Sequence, residues 1–94
     1  NKSEKLVYKI LLSEGFLVEK AVKTAWNRND LFSLWDFIAV RKDKIRFVQV
    51  SSIYLSEGSH AGEDFKGFPC PPENCTKEFW RWDKKKKDFI VKIL

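Results

Sequence analysis

The sequence predicts a single α+β domain, a small mixed or antiparallel β-sheet with an amino-terminal helix packed on it. Three observations lead there. Leu6, Val7, Ile10 and Leu11 recur at three- and four-residue spacing, the period of a helix with one apolar stripe. Residues 36–40 and 44–52 are strand-like runs separated only by Arg41, Lys42 and Asp43, so they read as an antiparallel hairpin. Residues 76–82 and 88–94 flank Lys84, Lys85, Lys86 and Lys87 and read as a second hairpin with a basic tip. Ninety-four residues hold one modest core, and a hydrophobic share of 44% is ample to build it, which argues against a disordered chain.

The helix is expected over residues 3–14. Ser3 suits the N-cap, Glu4 sits favourably in the first turn, and Gly15 supplies the left-handed stop. Residues 16–22 read as a strand with Phe16 and Val18 on one side and Leu17 on the other, with room to continue to Trp26. A polar break over 27–30, holding Arg28 and Asp30, leads through Leu31 and Phe32 to the hairpin. Residues 53–75 carry Gly58, Gly62, Gly67 and Pro69-Cys70-Pro71-Pro72 without a sustained period, and only 62–65 give a weak helical signal. An irregular stretch of that length in so small a domain points to a functional loop or a mobile one. One domain therefore covers 1–94, with its core over 3–54 and a carboxyl-terminal hairpin over 76–94. An antiparallel sheet with one helix on a face fits this succession.

Charge narrows the partners. The formal net of +5 favours anionic ones, nucleic acid first. Arg28 and the Lys84 to Lys87 run are compatible with phosphate contacts, although such a run also reads as a solvated hairpin tip. Trp80 and Trp82 share one strand face with Arg81 opposite; aromatics among basic residues can stack bases, and they serve equally as core or dimer contacts. No apolar run approaches the ~18 residues of a membrane-crossing helix. The amino terminus lacks a basic-then-apolar signal, so the expected compartment is the cytoplasm. His60 is the single histidine, and there is neither context for a nucleophilic triad nor a Gly-rich phosphate loop. Cys70 and Cys75 are spaced too widely for a two-residue metal knuckle. A zinc site borrowing other donors, a disulfide clipping the loop and free thiols all stay open.

The most specific chemistry lies at the end of the first hairpin. Strand alternation puts Gln49 and Ser51 on the side of Ile45 and Phe47. Asp36 enters the partner strand beside the end that carries Gln49. A carboxylate and an amide oxygen meeting across two strand ends can hold a hard cation such as Mg²⁺. Gln49 stands between Val48 and Val50, where an amide must find hydrogen bonds; a loop backbone could supply them instead. Asp36 could likewise be an edge carboxylate.

Glu4 in the first helix, Gly15-Phe16 at its end, Asp36 opening a strand and Gln49-Val50-Ser51-Ser52 closing the next together resemble the PD-(D/E)XK nuclease superfamily. Archaeal Holliday junction resolvases and small restriction-endonuclease-like proteins are nearest by pattern, and a lysine-rich, methionine-free chain would suit an archaeon or its virus. The resemblance spans residues 3–54 on a short motif. It implies a restriction-endonuclease-like core, cleavage of DNA with Mg²⁺ (or Mn²⁺), and a homodimer as the common assembly. Carried over by residue, it implies that Glu4 is the helix carboxylate, Asp36 the central metal ligand, and Gln49 with the Val50 carbonyl the remaining ligands. Ser51 falls where the family has its lysine. A neutral hydroxyl cannot steady a developing phosphorane charge, and an amide in place of a carboxylate removes one negative charge from the cation site. These departures bear on catalysis more than on fold. Lys20 on the first strand leads the candidates to supply the lysine, with Lys23 behind it; Asp30 stands where small members tend to have an acid. The expected function is a metal-dependent endodeoxyribonuclease. The alternatives are an inactive member that binds DNA or a protein partner, and a dimeric module joined by its tryptophan-rich tail.

Overall fold

The computed structural model describes residues 2–22, 31–32, 34–51 and 60–94. A helix over Lys2–Ser13 (α1) buries Val7 and Leu11 completely and ends at Gly15, whose φ of 88° is the left-handed conformation that glycine adopts without a Cβ clash. Strands follow at Leu17–Lys20 (β1), Phe37–Arg41 (β2) and Lys44–Ser51 (β3), then a helix at His60–Gly67 (α2), and strands at Cys75–Asp83 (β4) and Asp88–Ile93 (β5). The expected first strand is shorter than 16–22 in the structure, and its extension toward Trp26 falls outside the described residues.

The strands lie in sequence order, β1-β2-β3-β4-β5. Every neighbouring pair is antiparallel except β3 and β4, which run parallel. The sheet is therefore mixed, and the wholly antiparallel arrangement is corrected. Two parallel neighbours cannot be joined by a tight turn; their connection must travel back along the sheet, commonly through a helix. The stretch expected as an irregular loop holds that helix, α2, which is longer than the 62–65 signal implied.

Strand alternation divides the core in two. Phe37, Ala39, Val48 and Trp80 project toward α1 and pack with Val7, Leu11 and Phe16. Phe79 and the half-buried Phe47 project the other way and pack with Trp35, Phe68 and Phe65 of α2. The Phe65 ring meets Trp35 and Phe79 edge-on at centroid distances of 5.0 and 4.6 Å. A helix thus covers each face of the sheet, which corrects the expectation of one. The last carbonyls of α2 would lack donors, and Lys77 on β4 supplies them. Its buried ammonium donates to the carbonyls of Phe65 (2.8 Å), Lys66 (2.5 Å) and Phe68 (3.1 Å), tying α2 to the sheet. Among the described residues no helix is long and apolar enough to cross a membrane.

Candidate metal and nucleic-acid site

Asp36 sits one residue before β2 and is only 2% exposed. Its N–H donates to the Val48 carbonyl at 3.0 Å, and its own carbonyl accepts the Ala21 N–H at 2.9 Å. The main chain of Asp36 therefore bridges β1 and β3. Its side chain is held as well, because Oδ2 accepts the Val50 N–H at 2.9 Å. A carboxylate oxygen thus stands where the ladder would otherwise place a strand carbonyl.

That bond brings Asp36 against the peptide linking Gln49 to Val50. The N–H and C=O of one residue in an antiparallel ladder face the same neighbour, so the Val50 carbonyl is directed to the Asp36 side of β3. Gln49 lies in the next position, and its buried Oε1 has no hydrogen-bond partner among the described residues. A buried acceptor left that way costs on the order of 1–3 kcal/mol unless something else meets it. Asp36, Gln49 and the Val50 carbonyl offer oxygen atoms alone, with one formal negative charge between them, the donor type a small hard cation prefers. Among the described residues no group of three His, Cys, Asp or Glu side chains is placed to hold a metal ion.

Ser51 pairs in register with Arg81 across the parallel β3–β4 ladder, and residues in register project to the same face. Arg81 therefore shares the α2 face with Gln49 and Ser51. In the sequence Arg81 is marked only by standing opposite the tryptophans; the parallel register is what links it to Ser51.

The remaining expected residues are distributed as follows. Lys20 pairs with Phe37, on the α1 face and exposed, so the structure does not bring it to Gln49. Glu4 is half-buried on α1. Glu14, just past the other end of α1, bonds Arg46 near the start of β3 at 2.8 Å. Lys23, Arg28 and Asp30 lie outside the described residues, as does Trp26. Lys84, Lys85, Lys86 and Lys87 are exposed on the β4–β5 turn. Asp83 builds that turn, its Oδ1 accepting the N–H groups of Lys85 (2.9 Å) and Lys86 (3.3 Å), while Lys87 takes a φ of 52°. Because β3 and β4 run the same way, the basic tip projects beyond the same end of the sheet as Gln49 and Ser51. Base stacking does not fall to Trp80, which is buried against α1 with its indole N–H on Glu78 at 3.0 Å. Trp82 is half-buried and meets Phe89 edge-on at 5.1 Å.

A second charged cluster occupies the opposite end of β3. Arg46 donates to both oxygens of Glu78 at 2.8 Å, and Glu78 is 1% exposed. Burial pushes the Glu78 carboxyl up, but hydrogen bonds from Arg46, Thr76 and Trp80 outweigh it and hold the group below its usual range. The Arg46 guanidinium lies 5.1 Å from the Phe16 ring centroid, and that of Arg41 lies 4.4 Å from it. Glu14, Phe16, Arg41, Lys44 and Arg46 line an open cavity of about 320 Å³ here. Both arginines are already engaged by carboxylates, Arg41 with Asp43 at 2.6 Å, so the cluster reads as an ion-pair network closing the α1 side. No protein-family model matches the chain, and no curated protein or solved structure matches it.

Proposed function

We propose that this chain is a metal-dependent DNA endonuclease-like domain with a restriction-endonuclease-like core, acting on phosphodiester bonds. The observation that carries the reading is the Asp36 carboxylate bonded to the Val50 N–H, beside a buried Gln49 oxygen with no partner among the described residues. Asp36, Gln49 and the Val50 carbonyl would hold Mg²⁺ or Mn²⁺. When bound, the cation supplies Lewis-acid polarisation of the scissile phosphate and a lowered pKa for the attacking water.

The protein's own groups do the rest. The Val50 N–H fixes the Asp36 rotamer, so the carboxylate is oriented before any ligand arrives. Ser51 brings no charge, and Arg81 in register with it offers a guanidinium suited to a phosphate oxygen. Lys84 to Lys87, beyond the same end of the sheet, would hold the nucleic-acid backbone through salt-dependent contacts. Lys20 drops out as the source of the missing positive charge, since its register puts it on the other face.

Incubation with plasmid and branched DNA in Mg²⁺ or Mn²⁺ tests the reading. Cleavage that needs the cation and disappears in Asp36→Asn supports it; no cleavage by the wild-type chain under either metal counts against it. Ser51 favours one second reading, a domain that binds DNA without cutting it. Metal-independent binding that weakens steeply with salt, and no cleavage, would select that alternative.

A further inference from the structure

We propose that Cys70 and Cys75 form a redox-active dithiol site that reacts with low-molecular-weight disulfides to give an intrachain disulfide between the α2–β4 connection and the first residue of β4. The inference is independent of the nuclease reading. The two Sγ atoms lie 2.6 Å apart, and both residues are half-buried. The backbone brings them together from two fixed ends. Cys75 opens β4, and Asn74 before it adopts a φ of 63° with its carbonyl accepting the Ile45 N–H at 2.8 Å. Upstream, the Lys77 ammonium holds the carbonyls of Phe65 and Phe68 at 2.8 and 3.1 Å, two residues before Cys70. Between the cysteines, Pro71 and Pro72 restrict the chain further. Among the described residues no third His, Cys, Asp or Glu joins the pair, whereas structural zinc takes four ligands.

The exchange balances in two steps. The Cys70 thiolate attacks one sulfur of the external disulfide, breaking its S–S bond and releasing one thiol. Cys75 then gives up its proton and attacks the Cys70 sulfur, forming the intrachain bond and expelling the second thiol. The chain loses two hydrogens and two electrons, and the external disulfide gains them. Burial and the neighbouring Cys70 push the Cys75 thiol up, and because thiolates are the attacking species the exchange quickens as pH rises.

The full chain treated with oxidised glutathione, followed by intact-mass and thiol titration, tests this. The expected product has lost both thiols and two hydrogens, carries no glutathione, and melts about 5–10 °C higher than the reduced chain. Cys75→Ser should stop at a stable glutathione adduct on Cys70. A stable glutathione adduct on the wild-type chain, thiols that stay unreacted in the folded protein, or stoichiometric Zn²⁺ that shields both thiols would each overturn the proposal.

Discussion

Asp36 accepts the backbone N–H of Val50 at 2.9 Å through its side chain while its own N–H reaches the Val48 carbonyl at 3.0 Å. One residue thereby ends the β2–β3 ladder and sets a carboxylate against the Gln49–Val50 peptide. The fold and the site share this contact, so stability and activity must be separated by choice of substitution. Asp36→Asn keeps an oxygen able to accept the Val50 N–H but removes the charge. Its unfolding free energy should stay within about 1 kcal/mol of wild type by urea denaturation, while metal-dependent cleavage falls at least about 100-fold. Asp36→Ala should lose about 1–3 kcal/mol in addition, because it leaves the Val50 N–H without that acceptor.

Arg81 should matter to the chemistry and little to cation binding. Arg81→Ala is expected to lower cleavage by about 100-fold or more, with Arg81→Lys partly restoring it. Calorimetric Mn²⁺ affinity should be unchanged in both variants. Equal cleavage by Arg81→Ala and wild type would remove Arg81 from the site and leave the Asp36 reading standing.

The Arg46–Glu78 pair is a stability element at the far end of β3. Arg46→Ala leaves the nearly inaccessible Glu78 carboxylate without its fork of two hydrogen bonds. Unfolding free energy should drop by about 3–5 kcal/mol. Replacing both partners with apolar residues of similar volume should cost much less, which a double-mutant cycle would read directly.

The same pair fixes the sign of an acid dependence. The folded Glu78 carboxyl lies below its ordinary value of 4.5. Its contribution is therefore complete above that value, and is lost as pH falls through the lower folded value. Denaturation midpoints should be level from neutral pH down to about 5 and then decline. Glu78→Gln should be less stable at neutral pH and show a shallower decline; an identical acid profile in that variant would contradict the assignment.

The local elements could be read from the chain because each rests on short-range periodicity. The stripe of Val7 and Leu11, the Gly15 stop and both hairpins follow from spacing and turn chemistry, and the structure has them. The polarity of β4 against β3 is a long-range property with no signature in either strand. One signal did exist, since a connection over residues 53–75 is far longer than a hairpin needs and suits a parallel crossover. The consequence for the site was large. The parallel register alone puts Arg81 beside Ser51 and the lysine tip at the end carrying Gln49. Lys20 precedes Asp36 on the neighbouring strand, and the β1–β2 register turns it to the face opposite Gln49. The expected turn of three residues, Arg41 to Asp43, is one too long: Arg41 pairs with Lys44, which leaves Lys42 and Asp43 as the turn and sets the Asp36 backbone between Val48 and Val50.

Crystals soaked in Mn²⁺ and measured at the manganese edge decide whether a cation sits between Asp36 and Gln49. An anomalous peak is expected about 2.0–2.3 Å from an Asp36 carboxylate oxygen, Gln49 Oε1 and the Val50 carbonyl oxygen, absent in Asp36→Asn. A fully soaked crystal with no peak there, or a peak equally strong in Asp36→Asn, would contradict it.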